Sequence, residues 1–296
     1  MIELAAQPNG LWRMGFAGDT FNTLWTLKAL LPREIAVDYV SAFGEDPFSI
    51  RQIEFFGAHG IGIANSPRLS ATRPGLYAIT LEGYERSFTY WRSDSAARSL
   101  ADDATALQES LVGRDLILFS GITLAILDPQ PRETLLRLLE DARSAGSTIA
   151  FDPNYRPRLW PSAATARTAL GDVLSIADIA LPTYGDEQIL FGDKTPQETL
   201  DRLRSAGVVE SVVKNGAESA LVDARRSSTI VPAIHVDKPL DTTGAGDAFN
   251  GAYLAARLTG HAPPEAARKA HMVASRSIQT AGALMPMNEI AAAFNF

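Results

Sequence analysis

Asp241-Thr242-Thr243-Gly244-Ala245-Gly246-Asp247-Ala248-Phe249 is the stretch on which the fold turns. Two glycines flank Ala245, and the second runs into Asp247 and then an apolar pattern at helical spacing: Phe249, Ala252, Tyr253 and Ala256. The stretch predicts a tight turn that delivers a helix N-terminus. Glycines admit positive φ and let a ligand lie against bare main chain. The unpaired N–H groups of a first helical turn, with the helix dipole behind them, attract anions. A phosphate suits that position. Asp247 either stabilises the helix as an acidic residue of its first turn or, beside a bound polyphosphate, accepts a proton from an attacking hydroxyl.

Composition bounds the ligand. The chain has 296 residues, 46% of them hydrophobic, which suits one large domain or one with an appendage. Lys and Arg number 27 against 34 Asp and Glu, a net charge of −7. Without a block of Lys and Arg, such a chain is a poor candidate for nucleic acid or an anionic membrane. An anionic ligand must therefore be held by a local cluster of donors. The absence of cysteine excludes disulfides, thiolate zinc sites and cysteine nucleophiles, and a cytoplasmic location is expected. The longest apolar run, Leu116 to Leu127, is broken by Ser120 and Gly121 and is too short for a bilayer, which takes about 20 residues. The N-terminus lacks the basic and apolar regions of a signal peptide. His59, His235, His261 and His271 are scattered, with no pair at metal-ligand spacing.

Upstream of the opening stretch, residues 1–17 surround the turn signal Pro8-Asn9-Gly10 and predict a hairpin. Gly18-Asp19-Thr20-Phe21-Asn22 then leads into a helical pattern stopped by Pro32; Asp19 either caps that helix or holds a ligand. Val37 to Phe43 predicts a strand, and Pro47 to Phe56 a helix ending at Gly57. Gly75 to Arg92 alternates about a Glu82-Gly83 turn, a second hairpin far in sequence from the first. From there strands and helices alternate. Strands are expected at Leu116–Phe119, Thr148–Asp152, Ile179–Leu181 and Ser211–Lys214, with helices at Glu133–Ser144, Ala163–Leu170 and Glu198–Ala206. This order predicts an α/β fold, a parallel sheet with helices on both faces.

In open parallel sheets ligands sit at the carboxyl ends of the strands. Asp152-Pro153-Asn154-Tyr155-Arg156, Pro182-Thr183 and Lys214-Asn215-Gly216 each follow a predicted strand, so these clusters should line one crevice with Gly244 to Asp247. No GxxxxGK followed by Ser or Thr, no strand-linked GxGxxG and no GxSxG is present, which removes P-loop, dinucleotide and serine-hydrolase readings. Arg92 and Arg156 each end an aromatic-rich segment. Their forks suit a carboxylate through paired charge-assisted bonds, or else make surface salt bridges. Tyr77 and Tyr90 either pack within the hairpin or touch a ligand, and Lys214 either meets a phosphate or ends a strand in solvent.

The opening stretch resembles the signature of the ribokinase-like, or pfkB, carbohydrate kinases. Gly18 to Thr23, Gly75 to Tyr77, Glu85 to Ser93, Ser95 to Arg98, Ser120 to Leu127 and Phe151 to Trp160 are similar to 2-keto-3-deoxygluconate kinases in particular. The resemblance implies a three-layer α/β/α sandwich with a mainly parallel central sheet and a small β-sheet lid. The lid would comprise residues 1–17 and 67–95, and the α/β domain residues 18–66 and 96–296. It implies Asp247 as the catalytic base toward the terminal hydroxyl of an acid sugar. Gly244, Ala245 and Gly246 would hold phosphate, with Asn154, Thr183, Lys214 and Gly216 at the nucleotide. Gly18, Asp19, Asn22, Tyr77, Tyr90, Arg92 and Arg156 would bind the sugar acid, with ATP and Mg²⁺ as cofactors.

Two departures from the family accompany these expectations. Relatives carry Asn-x-x-Glu where this chain has Thr183 and Asp186, leaving Asp186 to reach a hydrated Mg²⁺. Relatives also open with a strand and Gly-Glu before a segment like Met1-Ile2-Glu3-Leu4, so a strand of the main sheet is expected upstream of Met1. A kinase for a neutral sugar or nucleoside, and a catalytically silent ligand sensor, are the alternative functions. A lid with an exposed apolar face can pair with its copy, so a homodimer is the expected assembly.

Overall fold

The computed structural model describes residues 1–7, 9–82 and 85–295; Pro8 and Gly83, in the two expected turns, lie outside the described residues. Strands β1 (Ile2–Ala6) and β2 (Trp12–Phe16) form the first hairpin and precede helix α1 (Asp19–Leu30). Strand β3 (Phe43–Gly44), helix α2 (Pro47–Ala58) and strand β4 (Arg68–Leu69) lead to the second hairpin, β5 (Leu76–Glu82) and β6 (Glu85–Trp91). The two hairpins join in one four-stranded sheet of order β2-β1-β5-β6. Its central pair β1 and β5 is parallel, with Glu3 beside Tyr77.

The alternating half follows the sequence pattern: α3 (Ala104–Leu111), β7 (Leu116–Ser120), α4 (Gly121–Ile126), α5 (Pro129–Ser144), β8 (Thr148–Asp152) and α6 (Ala163–Leu174). Then come β9 (Ile179–Ala180), α7 (Tyr184–Phe191), α8 (Pro196–Ser205), β10 (Glu210–Val213), β11 (Ala220–Ala224) and β12 (Ser227–Val231). Helices α9 (Ala245–Leu258), α10 (Pro263–Ser277) and α11 (Met287–Phe294) complete the chain. Helices α2, α5, α8 and α10 start on proline, where its missing N–H costs nothing and its φ is already helical.

The main sheet has the order β12-β11-β10-β9-β8-β7. Strands β7 to β10 are parallel and the last two pairings antiparallel. Alternate side chains point to opposite faces: Ala150, Val212 and Val222 join one core, and Ile149, Phe151 and Val213 the other. Helices α1, α9, α10 and α11 cover the first face, and α3, α5, α6 and α8 the second. The sandwich expected from the sequence is present, with the four-stranded sheet as the small additional layer.

Val37 to Phe43 differs from the expected strand. The segment is extended, but regular pairing is confined to an Asp38–Gly62 bridge and the two residues of β3. It bonds on one side only, with Tyr39 N–H donating to Gly62 O at 2.8 Å and Phe43 N–H to Pro67 O at 2.9 Å. A strand interior needs ladders on both edges, and here one is missing.

Helix α9 is pinned from both sides. Glu210 Oε1 on β10 accepts from Tyr253 Oη at 2.7 Å and Arg257 Nε at 2.8 Å. On the opposite side α1 crosses at Gly251, where a Cβ would lie 2.4 Å from Thr23 O and 2.7 Å from Thr26 Cβ. Gly251→Ala is therefore expected to destabilise the fold by about 1–3 kcal/mol through overpacking. Because α1 and α9 both carry site residues, it should also lower turnover. Urea denaturation and steady-state kinetics on the same preparation check the two effects.

Candidate active site

The turn before α9 is built as the opening stretch predicts. Gly244 takes φ +74°, and a Cβ there would meet Ala283 O at 3.0 Å, so both conformation and space call for glycine. Asp241 is buried and rigidifies the turn: its carboxylate accepts from Thr243 N–H at 3.0 Å and Gly282 N–H at 2.6 Å. Ala245 N–H is donated to Thr242 O at 3.2 Å. Among the described residues the N–H groups of Gly246 and Asp247 have no acceptor, so a first helical turn with free donors faces the crevice.

Asp247 sits half-buried in that first turn. Burial pushes its carboxyl up to about 7; the Asp19 and Asp152 charges add to the shift, while the Asn22 hydrogen bond and Lys214 oppose it. Asn22 Nδ2 donates to Asp247 Oδ2 at 2.8 Å, and Asn22 Oδ1 accepts from Gly18 N–H at 3.1 Å. Gly18 has φ +147° and ψ +150°, a region open essentially to glycine alone. That conformation turns the chain from the lid into α1.

Asp19 does not cap α1. Gly18 occupies the cap position, and Asp19 is the first helical residue. Its Oδ2 instead accepts from Ser120 Oγ at 2.5 Å. Burial raises the Asp19 pKa; the Ser120 and Thr20 hydrogen bonds and the Arg156 charge lower it, and Asp152 raises it further. Asp19, Ser120, Asp152, Asn154 and Asp247 line one small recess, which brings the residues after β8 together with Asp247 of the opening stretch. Asn154 is held there with φ +37°, its N–H donating to Asp152 Oδ1 at 3.2 Å.

Lys214 is not at a solvated strand end. It is 7% exposed, and its Nζ donates to Asn250 Oδ1 at 2.8 Å and pairs with Asp152 Oδ2 at 3.5 Å. Asn250 Nδ2 closes the triangle on Asp152 at 2.7 Å. The ammonium lies 3.8 Å from where a Cβ on Gly246 would be, directly behind the glycine turn. Thr183 bridges to Lys214 as the cap residue of α7. Gly216 takes φ +59° in the turn after β10 with open space around it, apart from this cluster.

The lid supplies the roof. Tyr77 and Tyr90 are cross-strand partners with ring centroids 5.9 Å apart. Tyr77 is buried, and its Oη donates to Glu3 Oε2 at 2.5 Å; burial raises its pKa, with smaller contributions from Glu3, Tyr90 and Asp247. The Arg92 guanidinium stacks 4.4 Å over Tyr90. Burial lowers the Arg92 pKa, and the Arg156 charge lowers it further, while Asp19 opposes. Two cations close enough to disfavour each other mark a place for an anion. Arg156 also reaches Asp186 Oδ2 at 3.2 Å, so the residue expected at the carboxylate and the one expected near Mg²⁺ are partners. Burial raises the Asp186 pKa and Arg156 lowers it.

The recess, the N–H groups of Gly246 and Asp247 and the four-stranded sheet adjoin one another at the start of α9. A family model described as "pfkB family carbohydrate kinase" matches residues 6–290. The chain belongs to the pfkB family of carbohydrate kinases. It is similar to the 2-dehydro-3-deoxygluconokinase of Dickeya dadantii (strain 3937), with 40% identity over 99% of this chain and 96% of that protein. The crystal structure of a PfkB protein from Polaromonas sp. JS666 matches this pfkB kinase with TM-score 0.84 and 27% identity, covering 99% and 96% of the two chains. A putative ribokinase II from E. coli, solved in complex with ATP and Mg²⁺, shares the fold with TM-score 0.85 and 24% identity over 99% and 96% of the chains.

Four residues at this site had no role assigned from sequence: Glu3, Ser120, Asp152 and Asn250. Asn250 lies three residues after Asp247, one turn along the same face of α9, and Ser120 and Asp152 end neighbouring parallel strands. Those spacings were legible. Glu3 had no such signal, because only the pairing of β1 with β5 brings it to Tyr77.

A carboxyl with a pKa near 7 loses its proton in the neutral range; with Asp247 as the base, kcat/KM should rise with pH through about 7. Asp247→Asn should remove that limb and lower turnover by roughly 10²–10⁴-fold. The sign for stability is opposite. A carboxyl whose pKa is raised on folding stabilises below the ordinary carboxylate range and loses that contribution as pH rises through about 7. Asp247→Asn should therefore unfold at a higher temperature than the parent at about pH 8 and at nearly the same temperature at about pH 4. Calorimetry at the two pH values reads this difference.

Proposed function

We propose that this pfkB kinase transfers the γ-phosphoryl group of ATP to the terminal hydroxyl of 2-keto-3-deoxygluconate, giving 2-keto-3-deoxy-6-phosphogluconate and ADP. The observation that carries the reading is Asp247: a half-buried carboxylate with its pKa near 7, in the first turn of a helix whose neighbouring N–H groups have no acceptor among the described residues. Its name-bearing relative from Dickeya dadantii supports the acid sugar as acceptor.

The hydroxyl gives its proton to Asp247 as its oxygen attacks the γ-phosphorus, and the bond to the bridging oxygen of ADP breaks. Asn22 holds the Asp247 carboxylate toward the substrate, and Asp19, oriented by Ser120, faces the same recess. The N–H groups of Gly246 and Asp247, with Lys214 behind them, meet the charge that develops on the transferring group. Ala245 N–H joins them by leaving Thr242 O. Arg92 and Arg156 take the keto-acid end under Tyr77 and Tyr90, and Thr183, Asn154 and Gly216 border the nucleotide.

Mg²⁺ neutralises polyphosphate charge when bound. It typically keeps several waters and uses one or two carboxylates plus substrate phosphates, and the donors here fit that mode. Among the described residues no three His, Cys, Asp or Glu side chains are grouped to hold a metal ion. Asp186, whose side chain is 21% exposed beside the crevice, would reach it through water. The lid leaves Leu11, Trp12 and Trp91 exposed, which supports pairing of two lids about a two-fold axis. Sedimentation equilibrium tests that pairing, and a single-chain mass at working concentration discards it. Among the described residues no helix is long and apolar enough to cross a membrane.

A substrate panel tests the reaction. ADP release should be fastest with 2-keto-3-deoxygluconate and slow with fructose, ribose and adenosine. Arg92→Ala should raise KM for the keto acid by roughly 10-fold or more, as loss of a charge-assisted pair does, while leaving any neutral-sugar activity alone. Faster turnover of a neutral sugar or nucleoside would move the chain to a sibling kinase. ADP release with none of them would make it a sensor.

A further inference from the structure

One row of residues crosses the four-stranded sheet. Gly15, Glu3, Tyr77 and Tyr90 stand opposite one another on β2, β1, β5 and β6. Directly opposed residues of paired strands share a face. Ile79 and Phe88, two positions along, continue that face. Tyr77, Ile79 and Ala17 form an apolar cluster there, with Phe88 and Ala283 packed against it. Glu3 is thus a carboxylate set beside an apolar cluster.

Its burial needs a reason. Glu3 is 7% exposed, and acids are almost never buried to that degree without a partner. Packing alone would be served as well by an apolar side chain of similar volume. Among the described residues Glu3 has one hydrogen-bond partner, Tyr77, whose Oη donates to Oε2 at 2.5 Å. That length is usual for a hydroxyl bonded to an ionised acceptor. A carboxylate can only accept, and a phenol has a single proton to give. With its proton turned to Glu3, Tyr77 keeps only lone pairs for a group beneath the sheet. The Asp247 charge registers at Tyr77, so the ring stands close to the recess.

The other oxygen of Glu3 rests near the loop that supports the Gly244 turn. Glu3 Oε1 lies 3.8 Å, and Arg13 Nη2 3.2 Å, from where a Cβ on Gly282 would stand. The N–H of Gly282 donates to Asp241 Oδ2 at 2.6 Å, and Ala283 follows it into the cluster with Tyr77. Glu3 therefore holds Tyr77 from a fixed position.

We propose that Glu3 is a positioning residue for sugar recognition: it takes the one hydroxyl proton of Tyr77, so that Tyr77 meets the sugar as a hydrogen-bond acceptor and selects a ligand hydroxyl beneath β5. A ligand carbonyl or carboxylate oxygen placed there would meet an oxygen with no proton to offer. The acid end of the substrate is thereby turned away from Tyr77 and toward Arg92 and Arg156. The inference rests on the reading of Tyr77 as a roof over the sugar, and not on which sugar is phosphorylated.

Two substitutions separate this role from packing. Glu3→Leu removes the acceptor and replaces a buried charge by an apolar side chain, a change that folds commonly tolerate. Glu3→Gln keeps an oxygen that can accept the Tyr77 proton. With the full chain and the best acceptor of the substrate panel, Glu3→Leu should raise the sugar KM roughly tenfold, the size of a lost charge-assisted bond. Turnover and the KM for ATP should stay at parental values, the pattern of lost ground-state binding. Glu3→Gln should recover most of the loss. In a Tyr77→Phe background, Glu3→Leu should cost nothing further. Sugar analogues lacking one hydroxyl at a time read the polarity directly: one of them should bind the parent more weakly and lose far less with Glu3→Leu. A parental sugar KM in Glu3→Leu, additive effects in the Tyr77→Phe background, or equal losses across the analogues would each overturn the role of Glu3. A panel led by a sugar other than the keto acid would overturn the substrate reading alone, and the same variants are then scored with that sugar. A panel with no acceptor at all would overturn both.

Discussion

The site exists because two helices cross at backbone distance. At Gly251 the α9 surface has no side chain, and Thr23 O of α1 approaches to 2.4 Å from where a Cβ would stand. That contact brings Asn22 of α1 within 2.8 Å of Asp247 of α9, residues 225 positions apart. Asp19, one turn before Asn22, is carried to the same recess. Asp247, its Asn22 partner and the neighbouring Asp19 are thus set by helix packing, with the loops contributing the glycine turn. Rigid elements hold a constellation more tightly than loops do.

Electrostatics then divides the crevice. Three carboxylates that line one recess, Asp19, Asp152 and Asp247, would repel one another, and two of them have raised pKa values for which desolvation is the largest cause. Asp152 is compensated by Lys214 and Asn250. Asp19 has a hydroxyl donor in Ser120 and the charge of Arg156 nearby. Among the described residues Asp247 has the neutral amide of Asn22 as its one side-chain hydrogen-bond partner. Its pKa of about 7 is what a general base needs at neutral pH. Cations collect at the other end, where Arg92 and Arg156 approach each other under the lid.

Much of this was legible in the sequence, for physical reasons. The Gly244 turn announces itself because glycine takes its φ of +74° without strain and leaves room for Ala283 O, and strand-helix alternation gives the parallel sheet with its carboxyl-end clusters. What the sequence could not supply was pairing across distance. Lys214 reads as a phosphate contact or a solvated strand end until β10 and α9 enclose it with Asp152 and Asn250. Asp19 reads as a cap or a ligand-holding residue until Ser120 arrives from a strand 101 residues away. Val37 to Phe43 has the composition of a strand and lies extended, but composition does not reveal whether a neighbour fills its second edge.

The four-stranded sheet is joined to the site through its own backbone. Met1 O accepts from Ala17 N–H at 3.1 Å, and Ile2 N–H donates to Gly75 O at 2.7 Å, so the start of β1 is stitched to the end of β2 and to the approach to β5. Strand β1 places Glu3 against Tyr77, whose pKa in turn registers the Asp247 charge. Strand β2 ends at Phe16, and Ala17 and the Gly18 turn lead directly into α1, which carries Asp19 and Asn22. The register of β1 against β2 and β5 is therefore coupled to the start of α1. Tyr77 above and Asn22 below, the one sensing and the other bonding Asp247, are set by one continuous piece of chain.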